Sequence, residues 1–74
     1  MKINVKLFAP LQKGRFERAE VDLPLDSSMA GLLEKLYISP SDVGILVVND
    51  RDATFSQILK EGDSVTIIPA IGGG

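Results

Sequence analysis

Asp26-Ser27-Ser28-Met29-Ala30-Gly31-Leu32-Leu33-Glu34-Lys35-Leu36 is the stretch on which the fold turns. Met29, Leu32, Leu33 and Leu36 stand at i, i+3, i+4 and i+7, while Glu34 and Lys35 take the other side. That spacing predicts an amphipathic helix with one face on a core. Ser27 and Ser28 offer side-chain oxygens to the free amides of the helix start, and Asp26 adds negative charge near the positive end of its dipole. Gly31 costs roughly 1 kcal/mol against alanine inside a helix, and its presence points to a neighbour packed closely at that position. Pro40, after Ser39, suits the first position of one further short turn.

Before the helix, Lys2-Ile3-Asn4-Val5-Lys6-Leu7 alternates polar and apolar residues, the period of a strand with one wet face. The Pro10 to Arg15 stretch reads as a connection, and Ala19-Glu20-Val21-Asp22-Leu23 alternates again, so the two strands are expected to form a hairpin. After the helix, Ile45-Leu46-Val47-Val48 is a continuous aliphatic run, expected as a strand covered on both faces. Asn49-Asp50 breaks it, Thr54-Phe55 is expected as a short edge strand, and Gln57-Ile58-Leu59 as a turn. Glu61-Gly62-Asp63 leads into a last strand, Ser64 to Ile68, which Pro69 ends.

The order hairpin, helix, strands describes an α+β domain in which one main helix crosses one face of a mixed sheet of four to five strands. With the first and last strands side by side and parallel in the middle, this is a β-grasp, or ubiquitin-like, fold. Residues 1–68 are expected as the β-grasp domain and 69–74 as a flexible carboxyl-terminal tail ending in glycines.

Seventy-four residues make one small domain. The 45% hydrophobic and 24% charged residues are the balance of a soluble globular chain. Cysteine and histidine are both absent, which removes disulfides, thiolate and ordinary zinc sites, cysteine nucleophiles and Ser-His pairs. A self-contained enzyme is therefore not expected. A formal charge of −2 is the wrong sign for a nucleic-acid backbone binder. The longest apolar runs fall short of a membrane span or a signal-peptide core, so a cytoplasmic location without membrane partners is expected.

Several polar groupings have plain readings. Asp50 and Asp52 flank Arg51 without the further ligands of a calcium loop, so a solvated turn is expected and no metal site. Glu17, Glu20 and Asp22 suit an acidic docking surface or simply the outward side of a strand, and Lys2 and Lys6 the polar side of theirs. Phe8 and Ile68 are different, because each falls on the polar side of its strand. If the first and last strands are neighbours, these two meet in an exposed apolar patch on the face away from the helix, where a partner would dock. The competing reading is that a twisted strand end or a loop covers them. Beyond Pro69, Ala70-Ile71-Gly72-Gly73-Gly74 holds no regular element. Six residues from Pro69 reach on the order of 20 Å when extended. Glycines without side chains would let another protein close a narrow channel around this strap, with a frayed terminus as the alternative.

Leu59-Lys60-Glu61-Gly62-Asp63-Ser64-Val65-Thr66-Ile67-Ile68-Pro69-Ala70-Ile71-Gly72-Gly73-Gly74 resembles the carboxyl end of the ubiquitin-like sulfur carriers: a Gly-Asp turn, a hydrophobic strand, proline, a small aliphatic residue and terminal Gly-Gly. Val5-Lys6-Leu7-Phe8-Ala9-Pro10-Leu11 is similar to the opening of the molybdopterin synthase small subunit within that MoaD/ThiS-like family. Ser28 to Leu36 resembles its helix, and Val47-Val48-Asn49 its third strand. Gly72 departs from the alanine common there.

The resemblance implies a carrier rather than a catalyst, with no cofactor of its own bound. An E1-like adenylyltransferase would activate the Gly74 carboxyl with ATP, a sulfur donor protein would displace AMP, and the resulting thiocarboxylate would serve molybdopterin (molybdenum cofactor) synthesis on the large synthase subunit. Gly74 is then the reactive terminus, Gly73, Gly72 and Ile71 occupy the partner's tail channel, and Phe8 and Ile68 dock. The thiamin-pathway carrier and a ubiquitin-like modifier forming isopeptide bonds are the alternatives.

Overall fold

Six alternating residues, Lys2–Leu7, form strand β1, and their apolar members Ile3, Val5 and Leu7 are almost wholly buried. The structure is a computed structural model in which residues 1–71 are described. Strand β2 (Arg18–Asp22) returns antiparallel to β1, with Ile3 opposite Val21 and Val5 opposite Ala19. Helix α1 (Met29–Lys35) follows, then a 3-10 turn at Pro40–Asp42 and strands β3 (Val43–Val48), β4 (Arg51–Asp52) and β5 (Ser64–Pro69). The sheet order is β2-β1-β5-β3-β4, with β1 and β5 parallel at its centre. This is the expected β-grasp, a mixed sheet of five strands with one helix.

The expected helix face is the observed one. Met29, Leu32 and Leu33 are buried to 1% exposure or less, each stabilising the fold by about 1.5–3 kcal/mol. Leu36, the C-cap residue, packs partly buried against the same core. Only one of the two serines caps the helix. Ser28 Oγ accepts from the Gly31 amide at 3.2 Å, whereas the Ser27 hydroxyl donates to the Pro24 carbonyl at 2.7 Å. Asp26 sits in the preceding turn with φ 65° and places no acid in the first helical turn. Gly31 is not closely packed, because a Cβ there would meet nothing nearer than Ser28 Oγ at 3.8 Å.

Three expectations in the second half of the chain are corrected. The edge strand is at Arg51–Asp52 rather than Thr54-Phe55. Asn49 and Asp50 both take positive φ, 51° and 67°, and fold β3 directly back on itself, so the pairing is used up before Thr54 is reached. The turn falls at Phe55-Ser56 instead of Gln57-Ile58-Leu59. There the carbonyls of Phe55 and Gln57 accept from the Ala30 and Met29 amides at 2.9 and 2.8 Å, so this loop satisfies two of the free donors at the helix start. Finally, β3 is covered on one face only: Leu46 and Val48 are buried, but Ile45 is 49% exposed and Val47 half-buried. The helix packs on the Leu46 and Val48 side of the sheet, and among the described residues no second layer covers the other.

The helix ends on Tyr37, which takes φ 58°. The Tyr37 amide donates to Glu34 O and the Ile38 amide to Leu33 O, the two bonds of a Schellman motif. Arg15 completes this end, donating at 2.8 Å from each of its three guanidinium nitrogens to the carbonyls of Leu36, Leu11 and Tyr37. The connection Pro10 to Arg15 is thereby tied to the carboxyl end of the helix.

Candidate functional site

The alternation that buries Ile3, Val5, Leu7, Val65 and Ile67 turns residues 4, 6, 64, 66 and 68 to the opposite face of the sheet. Phe8 follows with the same parity. Its amide donates to Ile67 O at 3.2 Å, carrying the central ladder one step past the end of β1. On the other side of β5, Ile45 is the register partner of Ile68. Phe8, Ile68 and Ile45 therefore make a row across β1, β5 and β3, with Phe8 41% and Ile45 49% exposed and Ile68 half-buried.

The next row is mixed: Val47 opposite Thr66, Thr66 opposite Lys6, Lys6 opposite Arg18. Lys6 Nζ lies 5.0 Å from the centre of the Phe8 ring, a cation over an aromatic face at the border of the patch. The far end is charged, with Lys2 Nζ 3.4 Å from Glu20 and 3.9 Å from Asp22. Hydrogen bonding to Glu20, then the charge of Asp22, holds the Lys2 ammonium above its ordinary pKa. The open face thus grades from ionic to apolar along the strands, and its apolar end is the end from which β5 leads into the tail.

Pro69 explains where β5 stops. Alternate amides of β5 point towards β1, and the next one due would belong to residue 69, which as proline has none. The Phe8 carbonyl accepts instead from Leu11 at 2.9 Å. On its other side β5 remains paired: Pro69 lies opposite Val43, and the Ala70 amide donates to Asp42 O at 2.9 Å. Ile71 is 96% exposed. The expected reactive terminus Gly74 and its neighbours Gly73 and Gly72 lie outside the described residues.

Phe8 and Ile68 are brought to one patch, as their parity suggested. Ile45 and Val47 were missed as members of it. Their signal was present, since odd positions alternate with buried Leu46 and Val48, but an unbroken aliphatic run hides its own parity. Glu20 and Asp22 serve Lys2, and Glu17 offers its carbonyl to the Leu7 amide at 2.9 Å. Among the described residues no group of three or more His, Cys, Asp or Glu side chains is placed to hold a metal ion, and no helix is long and apolar enough to cross a membrane.

The sequence model of the ThiS family matches residues 5–74. The sulfur carrier protein CysO of Mycobacterium tuberculosis is 40% identical over 60 residues, covering 68% of this chain and 63% of that protein. The chain thus spans about 63% of the length of the curated relatives it matches. Among solved structures, a putative molybdopterin converting factor subunit 1 from Pyrococcus furiosus superposes with TM-score 0.77 at 26% identity, covering 96% of this chain and 99% of that one. A chain of the Helicobacter pylori complex of molybdopterin-converting factor subunits 1 and 2 superposes with TM-score 0.67 at 21% identity over the full length of both chains.

Proposed function

The chain belongs to the ThiS family, and on that premise we propose that it is a sulfur carrier whose reactive group is the backbone carboxyl of Gly74. The observation that carries the reading is the reach of the family match, which runs through the terminal glycines. The 40% identity to proteins named as sulfur carriers supports it. A carboxylate is a poor electrophile, so it must first be activated. The Gly74 carboxylate would attack the α-phosphorus of ATP held by an E1-like adenylyltransferase, expelling pyrophosphate and leaving an acyl adenylate. A sulfide equivalent from a donor protein would then attack the acyl carbon, with AMP as the leaving group, and form the thiocarboxylate. The chain's own part is to dock and to present. Phe8, Ile68 and Ile45 offer the partner a desolvatable patch, and Ile71 to Gly74 enter its channel, where glycines leave room for a close-fitting wall.

We assign the sulfur to molybdopterin synthesis, with the large synthase subunit as receiver. The similarity to a molybdopterin converting factor subunit 1 over nearly the whole chain supports that assignment. The CysO relatives are named for sulfur carriage alone, which favours, as a second reading, the same thiocarboxylate serving another acceptor, the thiamin thiazole included. Intact-mass analysis of the protein from cells that contain its activating enzyme tests the carrier reading. One sulfur in place of one oxygen at the terminus is expected, and deletion of Gly74 should abolish it. An unmodified carboxylate throughout, or a ladder of conjugates to other proteins, would refute it. Turnover of the pterin precursor with the purified large subunit then decides between acceptors.

A further inference from the structure

Gly44 sits where β3 and β5 slip register. Val43 is opposite Pro69 and Ile45 opposite Ile68, so Gly44 is the extra residue of a β-bulge. Its φ lies outside the left-handed region, so backbone conformation does not demand glycine there. Space does. A Cβ on Gly44 would lie 2.8 Å from Pro69 O, 3.0 Å from Ala70 Cα and 3.1 Å from Pro69 C, all atoms of the backbone. The first residues of the tail therefore rest directly on the Gly44 main chain, and the Ala70 amide is bonded beside it to Asp42 O at 2.9 Å. A bulge bends its strand and increases local twist. Here it does so at the point where the carboxyl-terminal segment leaves the sheet, one residue from the docking residue Ile45.

We infer that Gly44 is a positioning residue for the tail: its bare main chain forms a seat on which Pro69 and Ala70 lie, and that seat fixes the direction of the strap relative to the apolar docking patch. The inference rests on the carrier reading and deepens it. The three terminal glycines have no side chains with which to steer, so the angle at which the chain leaves the docked domain decides whether Gly74 meets the reacting phosphate. A side chain at 44 must push Pro69-Ala70 away and turn the strap, while the patch of Phe8, Ile68 and Ile45 can still bind. Misplacement of a reacting group by about 1 Å can cost on the order of 100-fold in rate.

The test uses the full chain with a purified E1-like adenylyltransferase, ATP and pyrophosphate exchange, alongside hydrogen exchange of the Ala70 amide. For Gly44→Ala, kcat should fall at least about tenfold with KM within about twofold, and the Ala70 amide should exchange faster than in the parent. An unchanged kcat, a loss confined to KM, or unaltered Ala70 exchange would overturn the inference. If Gly44→Ala is too unstable to purify, Ala70→Pro removes the bond to Asp42 without adding bulk at residue 44. It should reproduce the kcat loss, and a parental kcat in that variant overturns the inference equally. No exchange with the parent chain would instead count against the carrier reading, leaving the Ala70 measurement to decide on the seat itself.

Discussion

Tyr37 occupies a position where most side chains are costly. Its φ of 58° closes the Schellman motif, and its side chain is 89% exposed. In this conformation an L-residue carries a penalty of roughly 1–2 kcal/mol that glycine escapes. Tyr37→Gly removes no buried surface, so it should stabilise the fold by about 0.5–1 kcal/mol once the entropy of a freer unfolded glycine is deducted. A higher urea midpoint with unchanged m-value is the expected reading, and a lower midpoint would mean that the ring makes interactions of its own. Nothing in the sequence marked Tyr37, because the usual signal of a helix stop is glycine. Arg15 was equally silent: its three carbonyl partners come from two separate segments, and no local pattern announces a guanidinium held that way.

At the scale of the element, β3 shows what a hydrophobic run leaves open. Four consecutive aliphatic residues fit a strand buried on both faces and a strand buried on one face with an apolar surface on the other. The half-exposed Ile45 and Val47 select the second. An exposed apolar side chain contributes little to folding, so Ile45→Thr should change stability by less than about 0.5 kcal/mol. On the carrier reading, it should weaken docking to the large synthase subunit several-fold, comparably to Phe8→Ala and Ile68→Ala. Calorimetric titration against that subunit measures this, and an unchanged Kd for all three variants would remove the patch from the interface. The helix was the most legible element, since both its apolar face and its Ser28 cap follow from spacing within one short segment. Its second set of caps, the Phe55 and Gln57 carbonyls, comes from a distant loop.

Across the molecule, the parallel pair β1 and β5 is the axis of the core, and β5 is also the element from which the tail departs. Ile67 is fully buried in that pair. Ile67→Ala should cost about 2–5 kcal/mol, against a total of about 5–15 kcal/mol for a small domain, so a marked fall in thermal midpoint is expected. Retention of the parent midpoint would show that the centre of the sheet can relax around the lost volume. The same architecture brings the apolar patch and the exit of the chain to one end of the sheet.

The amino-acid sequence alone determined the helix and its buried face, the hairpin, and the parity that turns Phe8 and Ile68 outward, because each is a matter of periodicity or chemistry among near neighbours. Tertiary structure decided which side of β3 stays open, which loop caps the helix, and why residue 44 carries no side chain. Those depend on distances between segments far apart in the chain, and register across a sheet is set only when the strands meet.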